Sequence, residues 1–192
     1  MIKKILIVSD SHGKSKNVKQ AIDREKPDML IHLGDIEDDP ELVREWLDDA
    51  AKRWNASHEE TERKSLPIPA VFIQGNCDRY RMENTSSDDG LKSAAVFEVN
   101  DHRFFCTHGH KQGVGFGVEN LMYSAMENDC DIALFGHTHV PFDDYFEGYD
   151  SAACGVRILN PGSISLPRAG TRKSYIIMEF NGDEYEVMLK YL

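Results

Sequence analysis

Five short polar clusters in this chain each stand directly after an apolar, strand-like run. In chain order they are Asp10-Ser11-His12, Gly34-Asp35, Gly75-Asn76-Cys77-Asp78, Thr107-His108-Gly109-His110 and Gly136-His137-Thr138-His139. The carboxyl ends of parallel strands lie at one edge of a sheet, and ligands of α/β proteins collect at that edge. The repeated placement therefore predicts an α/β fold in which the five clusters converge on one site.

Hydrophobic patterning in the first part of the chain indicates alternating strands and helices. Residues 2–8 and 28–33 are short apolar runs, and residues 14–26 between them carry apolar side chains at helical spacing. Asp39-Pro40 opens a second helix, because aspartate caps a helix and proline fits its first turn. A third strand is predicted at residues 70–73.

Strand-like runs dominate the rest of the chain. Residues 94–99 and 102–107 flank Asn100-Asp101, a dipeptide suited to a tight hairpin turn. A helix at residues 118–126, a polar loop at 84–90 and strands at 132–135, 156–159, 174–180 and 185–189 are also predicted. Helices between the early strands and local pairing of the later ones predict two sheets packed face to face, with helices outside.

The overall composition narrows the classes of function. A chain of 192 residues suits one domain over residues 1–192. Thirty-three acidic against 22 basic residues give a net charge of −11, which argues against nonspecific nucleic-acid binding. No apolar run reaches the length of a bilayer span and no signal-peptide cleavage site is seen, so we expect a cytoplasmic protein without membrane association. The four cysteines form no CxxC pair, which favours reduced thiols.

Metal binding is the chemistry that the clusters share. One such cluster alone is usually a turn or a helix cap. Together, Asp, His and Asn side chains from separate elements offer the donors that a pair of divalent cations needs. The clusters hold five of the eight histidines: His12, His108, His110, His137 and His139. His32 is expected to pack within its strand, whereas His58 and His102 are expected at the surface.

The order of these motifs resembles that of the calcineurin-like metallophosphoesterases, in which DxH, GD, GN followed by His and an acid, an isolated His and GHxH succeed one another. The short length, the GNCD, THGH and GHTHVP motifs and Asn160-Pro161-Gly162-Ser163 are similar to those of the small YfcE-type phosphodiesterases. The resemblance extends from Asp10 to Arg168 and implies a four-layer α/β/β/α sandwich of two mixed β-sheets flanked by helices. It also implies a metal-dependent phosphoric diester hydrolase that attacks a small phosphodiester with a metal-bridging hydroxide, as a homodimer or homotetramer.

Two divalent cations are part of what the resemblance implies, with Mn²⁺ favoured over Mg²⁺, Ni²⁺ or Fe. One cation would be held by Asp10, His12, Asp35 and His139, and the other by Asp35, Asn76, His108 and His137. Asp35 would therefore bridge the two. Such a pair lowers the pKa of a shared water and holds the phosphoryl oxygens during an in-line displacement. The catalytic residues would be Asp35, Asn76, Cys77 and His110.

Three residues beside these ligands have two interpretations each. Cys77 stands where many superfamily members carry a His that protonates the leaving group; it is either a poor acid near pH 7, for which His110 could partly compensate, or a packing residue. Asp78 either orients a ligand or caps a turn. Arg168 either holds a phosphate bidentately or is a surface arginine beside a Pro-Gly turn.

Two other functions are compatible with the motifs. A eukaryotic retromer subunit with this fold works mainly by binding proteins, so a non-catalytic scaffold is one alternative. A scaffold does not need a complete ligand set, and every motif ligand is present here. A phosphomonoesterase or nuclease is the other alternative, and both Cys77 and the acidic composition weigh against it.

Overall fold

The computed structural model describes residues 2–78, 91–148, 155–182 and 184–192. In chain order these residues form β1 (Lys4–Val8), α1 (Lys16–Glu25), β2 (Met29–His32), α2 (Pro40–Asn55), a 3₁₀ turn (Glu60–Glu62), β3 (Ala70–Phe72), β4 (Ala94–Val99), β5 (His102–Thr107), α3 (Glu119–Met126), β6 (Ile132–Leu134), β7 (Pro141–Phe146), β8 (Val156–Pro161), β9 (Ser174–Asn181) and β10 (Glu184–Tyr191). The loop predicted at residues 84–90 lies outside the described residues, as does Cys154.

The strands form two mixed sheets of five strands each. The first has the order β10-β9-β1-β2-β3, in which β1, β2 and β3 run parallel. The second has the order β4-β5-β6-β8-β7, in which β5, β6 and β8 run parallel. The parallel strands are central in the second sheet and extend to the β3 edge in the first, and the polar clusters follow the carboxyl ends of β1, β2, β3, β5 and β6.

Three apolar layers join the sheets to each other and to the helices. Side chains alternate across a strand, so on β1 Ile7 enters the layer between the sheets while Leu6 packs with α1 and α2. On β5, Phe104 joins the same inner layer while Phe105 packs with α3. The order of layers is helices, first sheet, second sheet and helix, which confirms the predicted α/β/β/α sandwich.

Local sequence signals set several boundaries. Asp39 caps α2, because its Oδ1 accepts from Glu41 N at 3.1 Å, and Pro40 takes the first turn. The β4–β5 hairpin turns through Asn100 and Asp101, whose φ angles of 48° and 68° are both positive, as a type I′ turn requires. The longest described helix, α2, has 16 residues. None of the helices in the described ranges provides the apolar length that a bilayer span requires.

Strand β7 was not predicted from the sequence. Its residues, Pro-Phe-Asp-Asp-Tyr-Phe, begin with proline and include two aspartates, which are depleted in strands. The strand lies at the outer edge of the second sheet and, among the strands that the structure describes, pairs with β8 only. Proline and charged side chains are tolerated at such an edge, so the sheet position outweighs the weak intrinsic preference.

Candidate metal centre

The loops after β1, β2 and β3 lie side by side at the edge of the first sheet. Asp10 N donates to Gly34 O at 3.0 Å, and His12 N donates to Asp35 O at 2.9 Å. The third loop joins them, because Cys77 N donates to Asp35 Oδ1 at 2.7 Å. These hydrogen bonds hold the loop of Asp10 beside the second loop, and Asp35 beside the third.

The second sheet closes the site from the opposite side. Gly136 N donates to His108 O at 3.2 Å, so the loop after β6 packs on the loop after β5. His137 N donates to Asp10 Oδ2 at 3.1 Å, a bond that crosses from one sheet to the other. All five polar clusters thus meet at one edge of the sandwich, as the strand-end placement predicted.

His108 and His139 are the most buried imidazoles of this site, with 0 % and 3 % exposure. His108 Nδ1 donates to Leu33 O at 2.7 Å, and His139 Nδ1 donates to Leu166 O at 2.5 Å. A carbonyl oxygen can only accept, so Nδ1 carries the proton and Nε2 faces the carboxylates. Burial alone would lower the pKa of each ring, but the neighbouring aspartates outweigh it and raise both pKa values.

His12 is held by a side chain rather than by the backbone. Its Nδ1 lies 2.5 Å from Glu37 Oε1, and Glu37 N in turn donates to Asp78 Oδ1 at 2.9 Å. Asp78 Oδ2 accepts from Gly75 N at 2.8 Å, so this buried carboxylate joins the loops after β2 and β3. Sequence reasoning missed Glu37; the available signal was an acidic residue two positions after Asp35.

Asp10 Oδ1 is the buried atom around which the ring nitrogens gather. The Nε2 atoms of His139, His12 and His108 lie 3.2, 3.9 and 4.0 Å from it. Nevertheless, this oxygen has no hydrogen bond within the described part of the chain. His12 Nε2 and His139 Nε2 are themselves only 3.2 Å apart. A buried carboxylate oxygen surrounded by electron-pair donors is costly by itself, and a bound cation would satisfy it.

Asp35 lies across the same space. Its Oδ2 is 3.4 Å from His108 Nε2 and 3.8 Å from His12 Nε2. Asn76 Oδ1 lies 3.1 Å from His108 Nε2. Burial raises the pKa of Asp35, but His108 and the N–H of Cys77 outweigh burial and hold that pKa well below its usual range. The site therefore contains an ionised carboxylate at its centre.

Three groups of ligand atoms can be distinguished among the described residues. Two are formed by Asp10, His12 and His139 and by Asp10, Asp35 and His108, and the third, more exposed one by His12, Glu37 and Cys77; within each, the ligand atoms lie no more than 4.8 Å from one another. Asp10 is common to the first two groups, whereas the family resemblance had suggested Asp35 as the bridge. Carboxylates, an amide oxygen and imidazole nitrogens are suitable ligands for divalent cations, so these residues fit a metal centre.

His137, His110 and Cys77 form the outer edge of the site. The His137 ring is half-buried, with its centroid 5.2 Å from that of His108 and 6.1 Å from that of His110. Burial and the nearby His108 lower the pKa of both His137 and His110. Cys77 is exposed at the surface, yet partial burial of its sulfur and the Asp35 carboxylate raise the pKa of the thiol to about 12.

The loop after β8 lies against the site. Ser163 Oγ donates to Asp10 O at 2.8 Å, and Asn160 Nδ2 donates to Gly136 O at 2.9 Å. These bonds support the backbone on both sides of the cluster. The Asn-Pro-Gly-Ser segment, which spans the end of β8 and the residues after it, is therefore placed beside the candidate ligands.

Arg168 follows this loop and is exposed. Its N–H donates to His139 O at 3.3 Å. Its positive charge also contributes to the lowered pKa of His137, after burial and the larger effect of His108. The guanidinium is thus close enough to act electrostatically on the outer edge of the site.

The other three histidines are not candidate ligands. His32 is fully buried at the end of β2. His58 and His102 were expected at the surface, but both are half-buried. The His58 ring stacks on Trp54 with centroids 3.7 Å apart, and His102 pairs with Asp131. Aromatic stacking and a carboxylate partner outweigh the polarity of these imidazoles.

Five site residues adopt left-handed backbone conformations. Asp10, His12, Asp35, His137 and His139 have φ angles between 46° and 68°. This region is rarely occupied by residues other than glycine and costs on the order of 1 kcal/mol or more per residue. Such conformations persist only where the surrounding structure holds them, and they are concentrated at functional sites. The motif pattern gave no sign of this backbone geometry.

Close approach of the loops explains two glycines. A Cβ atom on Gly34, which has φ of 102°, would lie 2.7 Å from both Gly75 N and His108 Nδ1. A Cβ on Gly75 would lie 2.0 Å from Asp35 Oδ1. Any side chain at these positions would push the candidate ligands apart.

Comparison with known proteins identifies related sequences and folds. A family model described as the calcineurin-like phosphoesterase superfamily domain matches residues 4–183. The probable metallophosphoesterase YsnB of Bacillus subtilis is 28 % identical over 181 residues, which are 93 % of this chain and 85 % of YsnB. The phosphodiesterase YfcE of Escherichia coli is 25 % identical over 180 residues, covering 92 % of this chain and 87 % of YfcE. A crystal structure of a predicted phosphoesterase from Streptococcus pneumoniae has a TM-score of 0.70 at 28 % identity and covers 98 % of this chain and 89 % of its own.

Proposed function

Because this chain belongs to the calcineurin-like phosphoesterase superfamily, we propose that it is a metal-dependent phosphodiesterase that hydrolyses a small phosphodiester. The observation that carries the proposal is the environment of Asp10 Oδ1. This buried oxygen has no hydrogen bond in the described ranges and is approached by the Nε2 atoms of three histidines. The names of the relatives YsnB and YfcE support the same reaction class.

Two divalent cations are proposed for this site, with Mn²⁺ favoured and Mg²⁺, Ni²⁺ or Fe compatible with the same donors. One ligand set is Asp10, His12, Asp35 and His139, and the other is Asp35, Asn76, His108 and His137. When bound, such cations lower the pKa of a water molecule and neutralise phosphoryl oxygens. The crowding of electron-pair donors around two buried aspartates supports a divalent-cation centre, and the division of the ligands between the two cations follows the family resemblance.

The buried residues of the chain supply charge and orientation. Asp10 and Asp35 contribute negative charge where water is largely excluded. His108 and His139 each commit Nδ1–H to a backbone carbonyl, so their Nε2 lone pairs stay directed at the aspartates. This arrangement fixes the donors before a substrate arrives, which reduces the reorganisation that the reaction requires.

The outer residues are the ones available to a substrate. Arg168 is exposed, and a guanidinium can hold two phosphate oxygens. His110 is half-buried, and its Nδ1 is itself buried without a hydrogen-bond partner among the described residues, so only the rest of the ring can face a leaving oxygen. The Cys77 thiol, with a pKa raised to about 12, is a poor proton donor near neutral pH. We therefore propose a preference for diesters with good leaving groups.

Metal analysis combined with a substrate panel tests this function. Protein stripped with EDTA and then titrated with Mn²⁺ should bind about two equivalents per chain and regain activity. The panel contains an aryl diester, an aryl monoester and an alkyl diester, and the aryl diester should have the highest kcat/KM. Absence of bound metal, or activity that survives chelation, would show that the proposed function is wrong. A preference for the monoester would show that only the proposed substrate class is wrong.

A further inference from the structure

The His32 side chain forms hydrogen bonds with two loops of the candidate metal centre, in addition to packing within its strand. The ring is fully buried at the end of β2 and lies near Phe72, with centroids 6.2 Å apart. His32 Nδ1 lies 3.3 Å from Gly34 N, and Nε2 lies 3.1 Å from Ser11 Oγ. Ser11 Oγ is also 3.2 Å from Ile36 O. A single imidazole therefore connects the loop after β1 with the loop after β2.

The direction of each hydrogen bond follows from the partners. A backbone N–H can only donate, so the Gly34 bond makes His32 Nδ1 an acceptor and leaves the ring proton on Nε2. Nε2–H then donates to Ser11 Oγ, and the Ser11 hydroxyl donates to Ile36 O. Burial lowers the pKa of His32 to about 4, which agrees with a neutral ring. Every donor in this chain of bonds has an acceptor.

The positions of these partners are informative. Ser11 stands between Asp10 and His12, and Gly34 and Ile36 stand on either side of Asp35. We propose that His32 is a positioning residue for the metal centre, acting through Ser11 and the backbone of the second loop to set the positions of the three candidate ligands. This inference rests on the proposed function, because it concerns the affinity of the site for cations.

The backbone conformation of the ligands explains why such positioning is needed. Asp10, His12 and Asp35 have φ angles of 55°, 46° and 51°, in the left-handed region. Without external hydrogen bonds, residues in this region relax toward the more favourable right-handed or extended conformations. The His32–Ser11 connection ties together the segments that carry all three, so its loss should disperse the ligands more than it destabilises the fold.

The experiment measures Mn²⁺ binding by calorimetry on EDTA-stripped protein, together with the melting temperature without metal. His32→Phe removes both hydrogen bonds of the ring, and Ser11→Ala removes the serine hydroxyl with little change in volume. Each should lower Mn²⁺ affinity about 10-fold or more, the range seen when residues that orient metal ligands are lost. His32→Gln retains an N–H that can reach Ser11 and should recover part of the affinity lost in His32→Phe.

Tyr175→Phe is the matched control, because Tyr175 is also fully buried and its hydroxyl donates to Glu25 Oε1 at 2.7 Å, away from the candidate ligands. It should lower the melting temperature as much as Ser11→Ala while leaving Mn²⁺ affinity unchanged. The double variant His32→Phe with Ser11→Ala should bind no more weakly than the weaker single variant, because the two residues act through one connection.

The outcomes separate this inference from the proposed function. If wild-type protein binds Mn²⁺ and Ser11→Ala and His32→Phe bind it equally well, His32 has only a packing role and the inference is wrong. If His32→Phe does not fold, Ser11→Ala alone decides. If wild-type protein binds no divalent cation, the proposed function fails first and the inference fails with it.

Discussion

The candidate metal centre has two regions that differ in burial and in how their side chains are held. The inner region consists of Asp10, Asp35, His108 and His139, which are at most 3 % exposed. The outer region consists of His12, Asn76, Cys77, His110 and His137, which are half-buried or exposed. The inner histidines are oriented by backbone carbonyls, whereas outer His12 is oriented by the Glu37 side chain.

Three of the motifs contribute one residue to each region. Asp10 is inner and His12 is outer, His108 is inner and His110 is outer, and the order is reversed in His137 and His139. The two residues of each pair are separated by one position, so a sharp turn can direct one side chain inward and the other toward solvent. A motif that looks uniform in sequence therefore places one side chain in the buried part of the site and the other near solvent.

The largest effect is expected from the inner region, on replacing Asp35 by Asn. The substitution keeps the shape but removes a buried negative charge from both proposed ligand sets. Loss of several kcal/mol of electrostatic stabilisation predicts a decrease of about 10³-fold in kcat/KM for an aryl diester. Asp49→Asn, an exposed change on α2, should be silent. Equal activity in the two variants would show that the inner region does not hold the catalytic charge.

In the outer region, Cys77→His tests the chemistry at the edge that a substrate meets. Cys77 is an exposed residue, and imidazolium is a far better acid near pH 7 than a thiol with a pKa of about 12. We expect kcat/KM for an alkyl diester to rise, on the order of 10²-fold, with little change for an aryl diester.

Cys77→Ser is the matched control for the position, because serine has similar size and no useful acidity near neutral pH. It should leave the ratio between the alkyl and aryl diesters unchanged. If Cys77→His slows the hydrolysis of both substrates alike, the residue at position 77 has a packing role. This position then gives no evidence that the outer region takes part in the chemistry.

A smaller effect is expected at Glu37, whose side chain orients His12 in the way that backbone carbonyls orient His108 and His139. Glu37→Gln keeps an oxygen that can accept a hydrogen bond from His12 Nδ1. It removes the negative charge that makes Nε2 of this imidazole a stronger electron-pair donor to a cation. Mn²⁺ affinity should fall about 10-fold, measured by calorimetry. Glu41→Gln, on an exposed residue of α2 paired with Arg44, is the control. An unchanged affinity would mean that outer His12 needs no more support than the inner histidines.

The smallest effect is expected from Arg168→Ala. An exposed guanidinium is screened by salt, so its removal should raise KM a few-fold for an anionic diester and leave kcat nearly unchanged. The increase should shrink at high ionic strength. Arg172→Ala is a suitable control, because Arg172 is also exposed but lies over the Tyr191 ring. If KM is identical in both variants at low salt, Arg168 does not contact the substrate.

Much of the fold follows from short-range sequence signals. The helix cap at Asp39 and the Asn100-Asp101 turn both lie where the sequence predicts them, because each depends on a few neighbouring residues. The family resemblance, the α/β/β/α sandwich and the prediction of a phosphoric ester hydrolase are confirmed. Strand β7 escaped prediction because it depends on pairing with β8 at a sheet edge.

The sequence predicts which residues lie in the site but not how their side chains are held. Strand-end placement brings Asp10, Asp35 and His108 together as expected, although their assignment to particular cations stays a prediction. The roles of Glu37 and His32 were missed, because each depends on one hydrogen bond between loops that are distant in sequence. Such contacts depend on how the loops pack against each other, and they produce no periodic pattern of residues in the sequence.

The left-handed backbone of the candidate ligands also bears on how such a chain could change through evolution. At Asp10, His12, Asp35, His137 and His139 the native residues occupy a conformation that glycine adopts without strain and asparagine tolerates well. A descendant that no longer needs cations would relieve on the order of 1 kcal/mol of backbone strain at each such position by drifting to glycine. We therefore expect lineages that lose the reaction to become more heat-resistant than their active ancestors, with glycine replacing these ligands first.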